Sequence, residues 1–111
     1  MSIHTLEPTA IWSHFAAINA IPRASKKEEA IIAYMLSFGE SLGLDTERDE
    51  IGNVLIRKPA TAGYESKSTL VLQAHLDMVH QKNADKDFDF ATQGIQMLVD
   101  GDWIRADGTT L

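Results

Sequence analysis

At 111 residues, with 44% hydrophobic and 23% charged residues, the chain has globular proportions and the length of one small domain or a piece of a larger one. Its 10 basic and 16 acidic residues give a net charge of −6, which leaves no basic stripe for nucleic-acid phosphates. The absence of cysteine excludes disulfides and thiol nucleophiles and restricts any zinc to His and carboxylate ligands.

In chain order, residues 7–20 predict a helix. Ile11, Phe15 and Ile18 repeat at helical spacing, with Trp12 widening the apolar stripe, and Pro22 ends it. A second helix is expected to start at Ser25, where Ser25 and Glu28 have the spacing of a capping box. Ile31, Met35, Phe38 and Leu42 form its apolar face and Gly43 stands at the C′ position.

The period then changes. Residues 44–49 read as a strand, Glu50-Ile51-Gly52-Asn53 as a tight connection, and Val54-Leu55-Ile56 as a second strand. Lys58 to Ser68 is loop, marked by Pro59 and Gly63. The run Leu70-Val71-Leu72 predicts a strand buried on both faces. Gln81 to Phe90 is polar and reads as loop, and residues 95–99 and 103–106 flank the hairpin signal Asp100-Gly101.

This order predicts an α/β or α+β layer with helices packed on a sheet. Two helices cover at most one face of a small sheet, whereas a strand at 70–72 wants cover on both. Together with the stop at Leu111 just past a hairpin, this makes the expected chain an incomplete domain. No apolar run approaches the roughly 20 residues of a membrane span. Residues 1–8 lack the charged-then-apolar pattern of a secretory signal. The expected location is cytoplasmic, without membrane or nucleic-acid partners.

Four constellations could carry chemistry. In Ala74-His75-Leu76-Asp77, alternation along a strand puts His75 and Asp77 on one side. At the carboxyl end of a strand the imidazole would stand where open α/β sheets place ligands. The carboxylate could take the imidazole's other N–H and raise its basicity as a metal ligand. A histidine satisfied by its local aspartate, with no metal, explains the same spacing. Asp85, Asp87 and Asp89 resemble the start of a calcium loop, but Phe90 and Gln96 stand where that loop needs glycine and glutamate, so a solvated loop is expected. His75 and His80 have the spacing of half a zinc site, without the other half, and His80 reads as a loop residue. Arg23, Ser25 and Lys26 could hold an anion at a helix N-terminus, although the capping box already explains the serine. His4 and His14 have no partner nearby in sequence, and His14 is expected on the exposed face of the first helix. Phosphate-binding, nucleophile-elbow and H-E-x-x-H motifs are absent.

The string Val71-Leu72-Gln73-Ala74-His75-Leu76-Asp77-Met78-Val79 resembles a signature of the M20 metallopeptidases. Within them it resembles the aminoacyl-histidine dipeptidase (Xaa-His dipeptidase, peptidase D) group. Residues 49–63, Gln81-Lys82-Asn83, Gly108-Thr109-Thr110-Leu111 and the stretch Ile21-Pro22-Arg23-Ala24-Ser25 with Glu28-Glu29 are similar to the same group. The resemblance implies a two-zinc dipeptidase with a catalytic α/β domain and a separate lid domain. It makes His75 a metal ligand and Asp77 the carboxylate that supports it. It makes residues 1–111 the N-terminal part of the catalytic domain, without the lid or dimerisation domain. His80 departs from the group, which usually has proline there.

In the family Gly-Thr-Thr-Leu leads into Gly-Ala-Asp-Asn, whose aspartate bridges the metals, and the Glu-Glu pair holding the general base follows later. Neither lies within these residues, so the 111-residue chain alone is expected to be inactive and to bind zinc weakly. The implied chemistry of the full-length enzyme is metal-assisted hydrolysis of Xaa-His-type dipeptides, a glutamate taking the proton of the attacking water. Other divalent metals and a homodimer stay open for it. So do two further readings: a truncated, non-catalytic relative acting as an interaction module, and an M20 aminoacylase or carboxypeptidase.

Overall fold

A computed structural model describes residues 2–111. The chain divides into two compact units, Met1–Ile31 with Asp77–Leu111, and Ile32–Leu76.

The first unit begins with a short 3-10 turn, Ile3–Thr5, followed by helix α1, Thr9–Asn19. The Glu7 carboxylate accepts from the Thr9 N–H (3.0 Å) and the Thr9 hydroxyl (2.8 Å), satisfying one of the orphan donors at the helix start. The helix stops where Pro22 forces Ile21 out of the helical region. Its buried face is carried by Ala16 and Asn19, with Trp12 and Phe15 half-buried and packed edge to face. Ile11, expected in the apolar stripe, is 62% exposed. Small residues face inward because backbone approaches the end of the helix closely: the Ile95 N–H donates to the Asn19 carbonyl at 2.7 Å.

The return segment of this unit ends in a hairpin of β3, Met97–Asp100, and β4, Trp103–Ala106, paired antiparallel with Asp100 opposite Trp103. Gly101, with φ 58°, takes the first turn position, where a II′ turn calls for glycine. The stretch 81–90, expected to be plain loop, is tied down at both ends. Lys82 bridges Thr109, and Phe88 is buried. Lys86 adds an ion pair to Asp107 at 2.7 Å.

Helix α2, Glu29–Ser41, starts four residues later than its predicted cap. The expected capping box does not form. Lys26 adopts φ 73°, its N–H is taken by the Glu28 carboxylate at 2.9 Å, and the Ser25 hydroxyl turns to Asp77 instead. The helix end is as expected. Gly43 (φ 68°) donates to the Glu40 carbonyl and Leu44 to the Gly39 carbonyl, the paired bonds of a Schellman motif. Ile31 and Ile32 are buried on α2, whereas Leu42 is exposed.

In the second unit β1, Asp45–Arg48, pairs antiparallel with β2, Val54–Arg57. Asp49 builds the connection. Its Oδ1 accepts from the N–H groups of Ile51, Gly52 and Asn53, and its Oδ2 from the Asn53 side chain at 2.7 Å. These bonds, that of the Asn53 side chain first, hold the Asp49 carboxyl below its ordinary value. The folded value lies below the unfolded one, so the stabilisation is present above the unfolded value and is lost as pH falls through the folded one. Titration of the Asp49 carboxyl by NMR is therefore expected to give a midpoint below the ordinary ~3.9, with the Ile51–Asn53 amides losing exchange protection as pH falls through that same midpoint. A midpoint at the ordinary value would show that the turn is not capped in solution.

Leu70, Val71 and Leu72 correct the sequence reading. They form no strand, and their exposures are 81%, 76% and 86%. Among the described residues no strand pairs with this run, so its backbone has no ladder to join and its side chains no sheet face to cover. Among the described residues the strands pair as two antiparallel hairpins, β1 with β2 and β3 with β4.

Candidate functional site

The connection between α1 and α2 is laced to the segment that follows His75. Met78 donates its N–H to the Arg23 carbonyl (2.9 Å), and the Ser25 N–H donates to the Met78 carbonyl (3.2 Å). The result is a parallel bridge between Ala24 and Met78. It places the Ser25 hydroxyl 2.6 Å from Asp77 Oδ2, a short charge-assisted hydrogen bond.

Behind this contact lies a buried polar pair. Asn19 is fully buried, and its Oδ1 accepts from Arg23 Nη2 at 2.9 Å. Its Nδ2 lies 3.5 Å from the Met97 sulfur. Burial pushes the Arg23 guanidinium below its ordinary value, and the Asp77 charge acts in the opposite direction. Replacing Asn19 with alanine strands a buried guanidinium N–H, and is expected to cost about 2 kcal/mol in urea unfolding. A loss under about 0.5 kcal/mol, the usual surface-substitution range, would contradict this arrangement.

Of the predicted residues, Asp77 is half-buried and held by Ser25, and His75 is exposed. An exposed imidazole can reach a cation. Among the described residues, however, no group of three His, Asp or Glu side chains is placed to hold a metal ion. These residues by themselves therefore do not make a complete metal site. His80 is exposed and sits edge to face with Phe90, ring centres 5.9 Å apart. The aspartate run behaves as loop. Asp89 accepts from the Ala91 N–H and the Thr92 hydroxyl, both at 2.9 Å, while Asp85 and Asp87 are exposed. An anion site at Arg23, Ser25 and Lys26 finds no support, because the serine hydroxyl is committed to a carboxylate and Arg23 is buried.

No protein-family model matches the chain. Cytosol non-specific dipeptidase of Escherichia coli (strain K12) is 50% identical over 106 residues, which make up 96% of this chain and 22% of that relative. Among solved structures, the crystal structure of aminoacylhistidine dipeptidase from Vibrio alginolyticus matches with a TM-score of 0.93 at 48% identity, over 97% of this chain. The chain is a homologue of one segment of these dipeptidases. It spans 22% of the length of each.

The resemblance to the aminoacyl-histidine dipeptidase group is thereby borne out, and so is the expectation of a partial domain of helices, strands and a hairpin. Reasoning from the sequence did not connect Ser25, Arg23 and Asn19 to Asp77. Ser25 and Asp77 lie 52 positions apart, and local capping offered a sufficient reason for the serine. A signal was nevertheless present: Ile21-Pro22-Arg23-Ala24-Ser25 is among the stretches that resemble the dipeptidase group.

Proposed function

We propose that the full-length protein carrying this chain is a metal-dependent dipeptidase of the M20 type, acting on Xaa-His-type dipeptides in the cytosol. The observation that carries this reading is 50% identity to a dipeptidase across 96% of the chain. In this reading residues 1–111 are the N-terminal part of the catalytic domain, and the lid domain lies outside them. When bound, a divalent cation, zinc in the first instance, supplies Lewis-acid polarisation of the peptide carbonyl and a more acidic water. His75 offers it a ring nitrogen. Asp77 takes the other imidazole N–H, fixing the tautomer that leaves that nitrogen available. The general base and the remaining ligands belong to residues beyond these 111.

The test is hydrolysis of Xaa-His dipeptides by the full-length protein, with N-acyl amino acids as competing substrates, before and after chelation. Chelator-sensitive dipeptide hydrolysis is expected. Preference for the acyl amino acids would replace this reading with an aminoacylase. Tight stoichiometric zinc binding or dipeptide hydrolysis by the 111-residue chain alone would overturn the assignment of the base and ligands to other residues.

A second reading, a non-catalytic module that associates through apolar surface, is favoured by exposed Leu70, Val71, Leu72 and Ile51. Light scattering on the eluting 111-residue chain separates the two. Concentration-dependent association supports the module, and a monodisperse monomer counts against it.

A further inference from the structure

We propose that Ser25 is a positioning residue for Asp77, set by the strained turn at Lys26 and by the backbone bridge to Met78. This rests on the dipeptidase reading and extends it to a residue of the connection between the helices. Three independent features of one unit converge on the contact. The Ser25 hydroxyl donates to Asp77 Oδ2 at 2.6 Å. The two backbone bonds through Met78 fix the height of that hydroxyl against the carboxylate. Lys26, next in sequence, is the non-glycine residue with positive φ among the described residues. A left-handed lysine costs about 1–2 kcal/mol, and strain of this kind gathers where surroundings over-determine a geometry.

That turn is what prevents Ser25 from acting as the helix cap its sequence suggests. A plain capping box would satisfy the helix start without strain. The chain instead spends the hydroxyl on a carboxylate 52 positions away. Asn19 and Arg23 line the same connection, buried and bonded to each other, so the loop that carries Ser25 is anchored from behind. A carboxylate that orients a metal-binding imidazole must itself be oriented; loss of a group bonded directly to a metal ligand typically lowers metal affinity or activity about 10–100-fold, and Ser25 acts one bond further out, toward the lower end of that range.

The experiment uses the full-length protein with Ser25→Ala and Ser25→Thr. Two readouts are taken: kcat and KM on a Xaa-His dipeptide, and zinc affinity by chelator competition, which needs no turnover. Ser25→Ala is expected to lower kcat and zinc affinity each by about tenfold or more, with KM within about twofold. Ser25→Thr, which keeps the hydroxyl, is expected to restore most of both. Unchanged kcat and zinc affinity in Ser25→Ala would overturn the proposal. So would equal losses in the alanine and threonine variants, which would mark Ser25 as a packing residue. His75→Ala separates this outcome from failure of the underlying reading. If His75→Ala loses metal while Ser25→Ala is inert, the positioning role alone fails. If His75→Ala also keeps full metal and activity, the metal reading fails.

Discussion

Replacing His75 with alanine in the full-length protein is expected to remove one bound metal ion and to lower dipeptide hydrolysis by at least the roughly 10–100-fold typical of losing a group that merely supports a ligand. The size follows from the chemistry of the ligand set. With no cysteine in this segment, a side-chain ligand to zinc here must be an imidazole or a carboxylate, and His75 supplies the imidazole. A catalytic zinc normally has three protein ligands, so the loss of one opens a position to water and weakens the hold on the ion. The loss cannot be laid to unfolding. His75 is exposed, and substitutions at exposed positions usually stay within about 0.5 kcal/mol. Elemental analysis of the purified variant gives the metal content directly, and thermal unfolding gives the control. Metal content equal to that of the parent would refute the assignment of His75, whatever the activity.

The second large effect is expected at Gly94. A Cβ added there would stand 2.6 Å from the Ala20 carbonyl carbon and 2.7 Å from its Cα, and it would meet the Ala20 oxygen as well. All three are backbone atoms, so no side-chain rotation relieves the clash. Ala20 is itself held by the 3.0 Å bond from its N–H to the Ala16 carbonyl, and the next residue along, Ile95, bonds to the Asn19 carbonyl. Gly94→Ala must therefore move the end of α1 away from the return segment and stretch that bond. A cost of about 3 kcal/mol is expected, at the upper end for overpacking, which is a large share of a small domain's stability. Gly63→Ala is the control. Its Cβ would meet nothing within 4 Å, leaving only the conformational penalty of φ 88°. Urea unfolding of the two variants reads the difference, and equal midpoints would show that the close approach at Ala20 does not exist in solution.

Both predictions concern positions whose importance the linear sequence shows unequally. His75 could be found by alternation with Asp77 and by the dipeptidase-like string around it. Gly94 looks like an ordinary loop glycine until Ala20 is seen against it. The same contrast runs through the fold. The end of α2 at Gly43, the turn at Gly101 and the stop of α1 before Pro22 were all legible, because each depends on the conformational range of one or two residues. The face of α1 was not, because which stripe of a helix is buried depends on what packs there. Backbone at Ile95 selected Asn19 and Ala16 over Ile11.

By itself, then, the sequence determined the local punctuation of the chain, its likeness to the dipeptidases and the candidacy of His75 and Asp77. Those features are written in neighbouring residues and in strings long enough to be specific. The tertiary structure alone decided what holds Asp77, that Lys26 takes a left-handed backbone conformation, and that Leu70-Val71-Leu72 stands exposed rather than paired. A hydroxyl, a carboxylate and a buried guanidinium can meet from opposite parts of the chain only after the backbone between Ala24 and Met78 has closed. A strand, likewise, exists only where another strand accepts its hydrogen bonds.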